Sequence, residues 1–298
     1  MAERYGFGDY QYELVPGWGQ APNVGKDLKN NSVVSGVASD SQGQVYVAVR
    51  DLPYPETLSG SILVFDRDGK FLRSFGEDLF TTPHLLYITP NDELYYTDAT
   101  NHTVHKFSPS GELLMTLGGY EMGPGERPID RFKTTSAPGE PFNRATKVVP
   151  SQSGDLFVSD GYGQNRVHRL TAEGEVIVSW GETGKGPGQF ELPHSLNVDK
   201  NDRVYVLDRP NSRCEIFNAN GEFLEEWGNL RNPNDLVFDE NDVIHMAEGR
   251  GVLVMTLEGE RIGHWEAGPS HGIWIDSRGD LYLAMLSNEE KLRKYVRV

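Results

Sequence analysis

Histidine is the commonest side chain through which a protein offers a lone pair to a transition metal. This chain has eight histidines, and three of them open segments of one shape. These segments are "PHLLYITPNDELYYTD" from residue 83, "PHSLNVDKNDRVYVLD" from 193 and "SHGIWIDSRGDLYLA" from 270. In each, a histidine leads a short apolar run, a polar turn follows, and an alternating run completes the pattern. Arginines close two such alternating runs, Arg50 in "QVYVAVR" and Arg209 in "RVYVLDR", and Tyr162 stands just beyond a third, "LFVSDGY". Three imidazoles brought together would hold a metal. Two guanidinium groups would clamp a carboxylate in fork geometry. A tyrosine beside a divalent cation could serve as a base.

These residues do such chemistry only if the fold brings them together, and the fold is legible as a repeat. Six units align by eye, each reading as four short strands separated by turns. Turns such as "DSQG", "PNDE", "SQSG", "DKND", "DENDV" and "DSRG" join the first two strands, and "DRDG", "SPSG", "TAEG", "NANG" and "LEGE" precede the fourth. Period-two alternation at this spacing argues for strands and against helices. The sixth unit lacks its fourth strand, and "YQYELVPGWG" at residues 10–19 ends as the fourth strands "VIVSWG" and "FLEEWG" do. The expected fold is all-β: one six-bladed β-propeller over residues 1–298, its last blade completed by the N-terminal strand and its ring thereby closed.

In a propeller the first strand of each blade lines the central channel. Alignment places Ser35, His84, Thr146, His194, Asn234 and His271 at one such position, with the histidines in blades two, four and six. Alternate blades of a six-fold ring lie about 120° apart, so the three rings should meet on the axis at one depth. Three neutral histidines with a fourth position open describe a catalytic zinc site, although imidazole also suits copper, iron and nickel. A lone histidine at such a position would simply be a satisfied polar residue beside a channel. His102, His105, His168, His245 and His264 lack the phase, and the matching pair His105 and His168 falls on third strands as structural residues. Arg50, Arg209 and Tyr162 should lie at the same mouth, because the second strand returns to where the first began. Taken singly, each arginine reads as a surface ion pair and the tyrosine as packing. Asp98, Asp160 and Asp208 share one phase at second-strand ends and read as turn caps bonded to backbone amides.

The bulk properties narrow the partners. A net charge of −16 with no basic cluster argues against nucleic acid and anionic membrane. The single cysteine, Cys214, excludes an intrachain disulfide. No apolar leader and no membrane-length apolar run is visible, and the expectation is a soluble cytoplasmic protein. Three connections exceed a plain turn, at residues 51–60, 119–142 and 181–192. The middle one, rich in Gly and Pro, reads either as a flap over one mouth or as a surface loop.

The repeat signature resembles NHL-repeat propellers. The motifs "LFVSDGYGQNRV", "GQFELPHSL", "VYVLDRPNSR" and "HGIWIDSRGDLYL", with "VSGVASD", "TPHLL" and "TDATNHTVHKF", further resemble the peptidyl-α-hydroxyglycine α-amidating lyase domain of peptidylglycine α-amidating enzymes, over nearly the whole chain. That resemblance implies zinc on His84, His194 and His271, Tyr162 as base, and Arg50 and Arg209 at the substrate carboxylate. It implies a metal-dependent lyase that splits an N-substituted α-hydroxyglycine into an amide and glyoxylate. The family's calcium uses carbonyls matching Val37 and Leu86 and an aspartate where this chain has Gly272, which counts against calcium here. A family cysteine is replaced by Gly163, and no hydroxylating domain is expected beside this one. A small carboxylate metabolite is therefore expected rather than a secreted peptide. Two other readings stand beside it. One is a propeller lactonase-type hydrolase, which would use carboxylates and calcium. The other is a non-catalytic NHL protein-binding module.

Overall fold

Val, Ile, Tyr and Phe alternate with polar residues along the strands, a pattern that suits pleated, half-buried sheets. The computed structural model describes residues 3–19, 32–51, 60–119, 141–286 and 290–298. Among these residues there is no helix, and six small antiparallel sheets follow one another around a ring. The chain is a six-bladed β-propeller.

The innermost strands of blades one to six are Ser32–Ser39, Pro83–Ile88, Lys147–Pro150, Pro193–Val198, Pro233–Phe238 and Ser270–Ile275. In blades one to five the strands run outward in sequence order. The predicted closure is present: Tyr10–Leu14 pairs antiparallel with Leu292–Arg297 as the fourth strand of blade six. Arg4–Phe7 adds a fifth strand that the sequence did not announce. It reaches the outer strand of blade five, where Tyr5 lies 5.8 Å from Trp265. Residues 52–59 and 120–140, which hold most of two long connections, lie outside the described residues, and so does the flap reading of 119–142. The third connection is ordered by a short parallel pairing of Glu182–Thr183 with Gln189–Phe190.

Adjacent blades pack through a recurring contact. A tryptophan at or just beyond the end of one outer strand covers the turn glycine of the next blade: Trp18 lies over Gly69, Trp180 over Gly221 and Trp227 over Gly259. At Gly221 the backbone is left-handed, at φ +81, and a Cβ would come 2.6 Å from the Trp180 ring. The turns between first and second strands are held by carboxylates. Asp40, Asp199 and Asp276 each accept backbone amides and the hydroxyl of Tyr46, Tyr205 or Tyr282. These contacts hold the turn that follows the inner strand in blades one, four and six.

Tyr12 in the closing strand is fully buried and stacks on Trp265 at 5.6 Å. Tyr12→Ala is expected to cost about 3–5 kcal/mol, the range for removing a buried aromatic ring. Urea unfolding of the variant checks this, and a loss below about 1 kcal/mol would mean that the ring does not depend on its N-terminal clasp.

Candidate metal centre

The inner strands do not run in perfect register with their neighbours. In blade four Pro193 faces Asp208 and Ser195 faces Leu207, so His194 is an extra, unpaired residue. The same break falls at Ser35, Asn234 and His271, and in blade two at His84–Leu85. A β-bulge of this kind bends the strand and re-aims one side chain. The axial position of the repeat is thus a bulge position in five of the six blades, and this is what points the histidines inward.

Their orientation is fixed by a ring of hydrogen bonds running from blade to blade. His84 Nδ1 donates to the Thr146 carbonyl at 2.6 Å, His194 Nδ1 to the Asn234 carbonyl at 2.7 Å, and His271 Nδ1 to the Ser35 carbonyl at 2.6 Å. A carbonyl only accepts, so each Nδ1 carries the proton and each Nε2 keeps its lone pair. The intervening blades complete the circle through side chains. Ser35 Oγ donates to Pro83 O at 2.7 Å, Thr146 Oγ1 to Pro193 O at 2.8 Å, and Asn234 Nδ2 to Ser270 O at 3.0 Å. This explains why the non-histidine members of the position are Ser, Thr and Asn.

The three rings meet on the axis. One ligand nitrogen from each of His84, His194 and His271 lies within 4.8 Å of the others, and all three residues are buried. The Tyr162 hydroxyl approaches His84 Nε2 at 3.0 Å and His194 Nε2 at 3.1 Å. Gly161 allows this approach, since a Cβ there would lie 2.4 Å from the Pro193 carbonyl oxygen. Burial holds His84 and His194 well below the ordinary imidazole range and takes His271 down to about 3. Repulsion acts in the same direction: on His84 from the other two rings, were they protonated, and from Arg50, on His194 from Arg209, and on His271 from Arg50 and Arg209. The histidines are therefore neutral at pH 7. Several imidazole lone pairs converge where a single phenol hydrogen cannot satisfy both acceptors beside it. This donor set fits a divalent transition metal, with three nitrogens and a fourth position facing the mouth.

Arg50 and Arg209 occupy equivalent places at that mouth. Val33 pairs with Arg50, and Arg209 donates its backbone amide to Leu192, the residue matching Val33. All six predicted residues are thus at one end of one channel. The aspartates do what was expected and more. Asp98 accepts from the amides of Thr81, Thr82, Thr100 and Asn101, and Asp208 from those of Glu191 and Leu192. They therefore anchor the segments that lead into His84 and His194. His105 sits between Thr103 and Thr116, and His168 bonds Ser179, both away from the axis.

One layer deeper, the channel holds a group that the sequence reading overlooked. Lys147 Nζ donates to Asp235 Oδ1 at 2.5 Å and to Leu236 O at 3.2 Å, and the pair is almost wholly buried. Asp235 also accepts from Ser195 Oγ and from the amides of Leu236 and Ile273, so it ties blades three to six across the axis. The signal was available: each charged residue directly follows an axial position in an otherwise apolar strand. In the same layer a Cβ on Gly272 would lie 3.1 Å from Gly36 Cα, so a side chain there would need the neighbouring backbone to give by a few tenths of an ångström.

Fold and site together define a six-bladed propeller with a tri-histidine centre on its axis. No family model matches the chain. NHL repeat-containing protein 3 of mouse is 31% identical over 264 residues, covering 82% of this chain and 69% of that one. The human protein of the same name is 32% identical over 229 residues, and the match spans 60% of its length. The chain belongs to this NHL-repeat family. It is also similar to peptidylglycine alpha-amidating monooxygenase of rat (33% over 242 residues; 74% of this chain, 23% of that one) and to peptidyl-alpha-hydroxyglycine alpha-amidating lyase 1 of Drosophila melanogaster (32% over 174 residues; 54% and 30%). Solved structures of a streptogramin B lyase (TM-score 0.64, 13% identity, 98% and 97% coverage) and a Xanthomonas campestris gluconolactonase (0.66, 14%, 99% and 95%) share the fold.

Two outcomes test this description. Lys147→Met should cost about 3–5 kcal/mol by leaving Asp235 buried and uncompensated, and adding Asp235→Leu should recover part of it in urea unfolding. The histidines also predict a pH dependence. Their folded pKa values lie below the ordinary 6.5, so as pH falls the unfolded chain takes up protons first. Their contribution is whole above about pH 6.5 and is lost as pH falls toward about 3. Metal-stripped wild type should therefore lose stability more steeply between pH 7 and 4 than His271→Gln, and equal slopes would contradict neutral, buried histidines.

Proposed function

We propose that the protein is a metal-dependent lyase that cleaves the C–N bond of an N-substituted α-hydroxyglycine, giving an amide and glyoxylate. The observation that carries this reading is the approach of the Tyr162 hydroxyl to within 3.0–3.1 Å of two of the three axial histidines, with Arg50 and Arg209 at the same mouth. Similarity to the amidating lyase supports it. A divalent metal, zinc in first place and iron second, held by His84, His194 and His271, supplies Lewis acidity that lowers the pKa of a nearby hydroxyl.

The remaining work belongs to the chain. Arg50 and Arg209 hold the substrate carboxylate and fix the direction of the scissile bond. Tyr162, acting as phenolate, takes the hydroxyl proton. The carbon–oxygen double bond of glyoxylate forms as the C–N bond breaks. The electron pair goes to nitrogen, and the proton held by Tyr162 completes the amide. The substrate class is a small carboxylate of this kind.

Purified protein should carry one equivalent of transition metal and release glyoxylate from α-hydroxyhippurate. His194→Ala should lose metal and activity together. Tyr162→Phe should keep the metal and lose about 10²- to 10⁴-fold in kcat, the usual worth of a positioned acid–base group. Metal retained in a His84/His194/His271 triple alanine variant would overturn the site. Full metal without glyoxylate release would remove the lyase reading and favour a non-catalytic NHL module.

A further inference from the structure

Among the six residues at the axial position, Asn234 bonds an arginine of the mouth. Its carbonyl accepts from His194 Nδ1 at 2.7 Å, its Nδ2 donates to Ser270 O at 3.0 Å, and its Oδ1 accepts from Arg209 Nη1 at 3.3 Å. The amide can face only one way. Turned over, its NH₂ would meet the guanidinium and its oxygen would meet a carbonyl. The other intervening blades make do with Ser35 and Thr146, each donating to the next blade's carbonyl. A hydroxyl at position 234 could complete the ring in the same way but is too short to take a guanidinium bond as well. The ring explains a polar residue here, and only the contact with Arg209 explains asparagine.

We infer that Asn234 is a positioning residue that locks the Arg209 guanidinium to the backbone unit orienting His194, so that the carboxylate clamp and the metal centre form one rigid body. Arg209 is referenced to the ring through a neutral amide, which fixes its angle without neutralising its charge. A carboxylate there would pair with Arg209 and compete with an anionic ligand. This inference rests on the proposed reading only in its use of a carboxylate substrate. The link itself is a property of the fold.

Asn234→Ser separates the two roles, because serine can still donate to Ser270 O as Ser35 does to Pro83 O. It should keep a full equivalent of metal and the melting temperature of wild type. Its KM for α-hydroxyhippurate, and its dissociation constant for the non-reacting carboxylate hippurate, should rise about tenfold with kcat within about twofold. Combined with Arg209→Gln it should add little further, since both substitutions remove one interaction. Asn234→Asp should hold Arg209 in place but lose the bond to Ser270 O, lowering metal affinity, and its carboxylate should also weaken hippurate binding by pairing with the guanidinium. A crystal structure of Asn234→Ser decides independently of activity. If wild type turns over nothing, the lyase reading fails, and the position of Arg209 still tests the link. A displaced guanidinium supports the inference. Arg209 unmoved, unchanged hippurate affinity, or additive effects in the double variant would each overturn it.

Discussion

A histidine can give one nitrogen to a metal only when something holds the other. Here that holder is the backbone of the next blade. Each axial histidine donates Nδ1–H to a carbonyl one blade further round, and each intervening residue donates its side chain to the carbonyl preceding the next histidine. The circle closes on itself only because the propeller does, through pairing of the first and last parts of the chain. Fold closure, tautomer and direction of the lone pairs are therefore one constraint. Partners of this kind orient metal ligands and raise their basicity.

The layers beneath and above this ring use its rigidity differently. Below it, the Lys147–Asp235 pair draws inner strands together in a place that water does not reach. Above it, Tyr162 and the two arginines face the mouth. In a chain of net charge −16, cationic groups at one channel end stand out as a local field suited to an anionic ligand. Those same groups help keep the imidazoles neutral.

Much of this was readable from the chain. The fourfold strand pattern, the turn residues and the displaced N-terminal strand specify a closed six-blade ring, and phase alone identifies His84, His194 and His271. What could not be read depends on register. The bulge at the axial position has no residue signature, because Ser35, Asn234 and His271 share none, yet it decides which side chain enters the channel. The hydrogen-bond ring is hidden for a related reason, since half its members act through backbone carbonyls. Lys147 and Asp235 were visible as charges but stand 88 residues apart, and only the ring's curvature makes them partners. Arg4–Phe7 was missed because its pairing is local and its sequence short.

The direct test is anomalous diffraction from crystals soaked in zinc. One peak on the propeller axis, equidistant from the Nε2 atoms of His84, His194 and His271 with every Nδ1 still on its carbonyl, is the expected result. No peak at that point, or zinc bound through a Nδ1 atom with the carbonyl ring broken, would contradict the account.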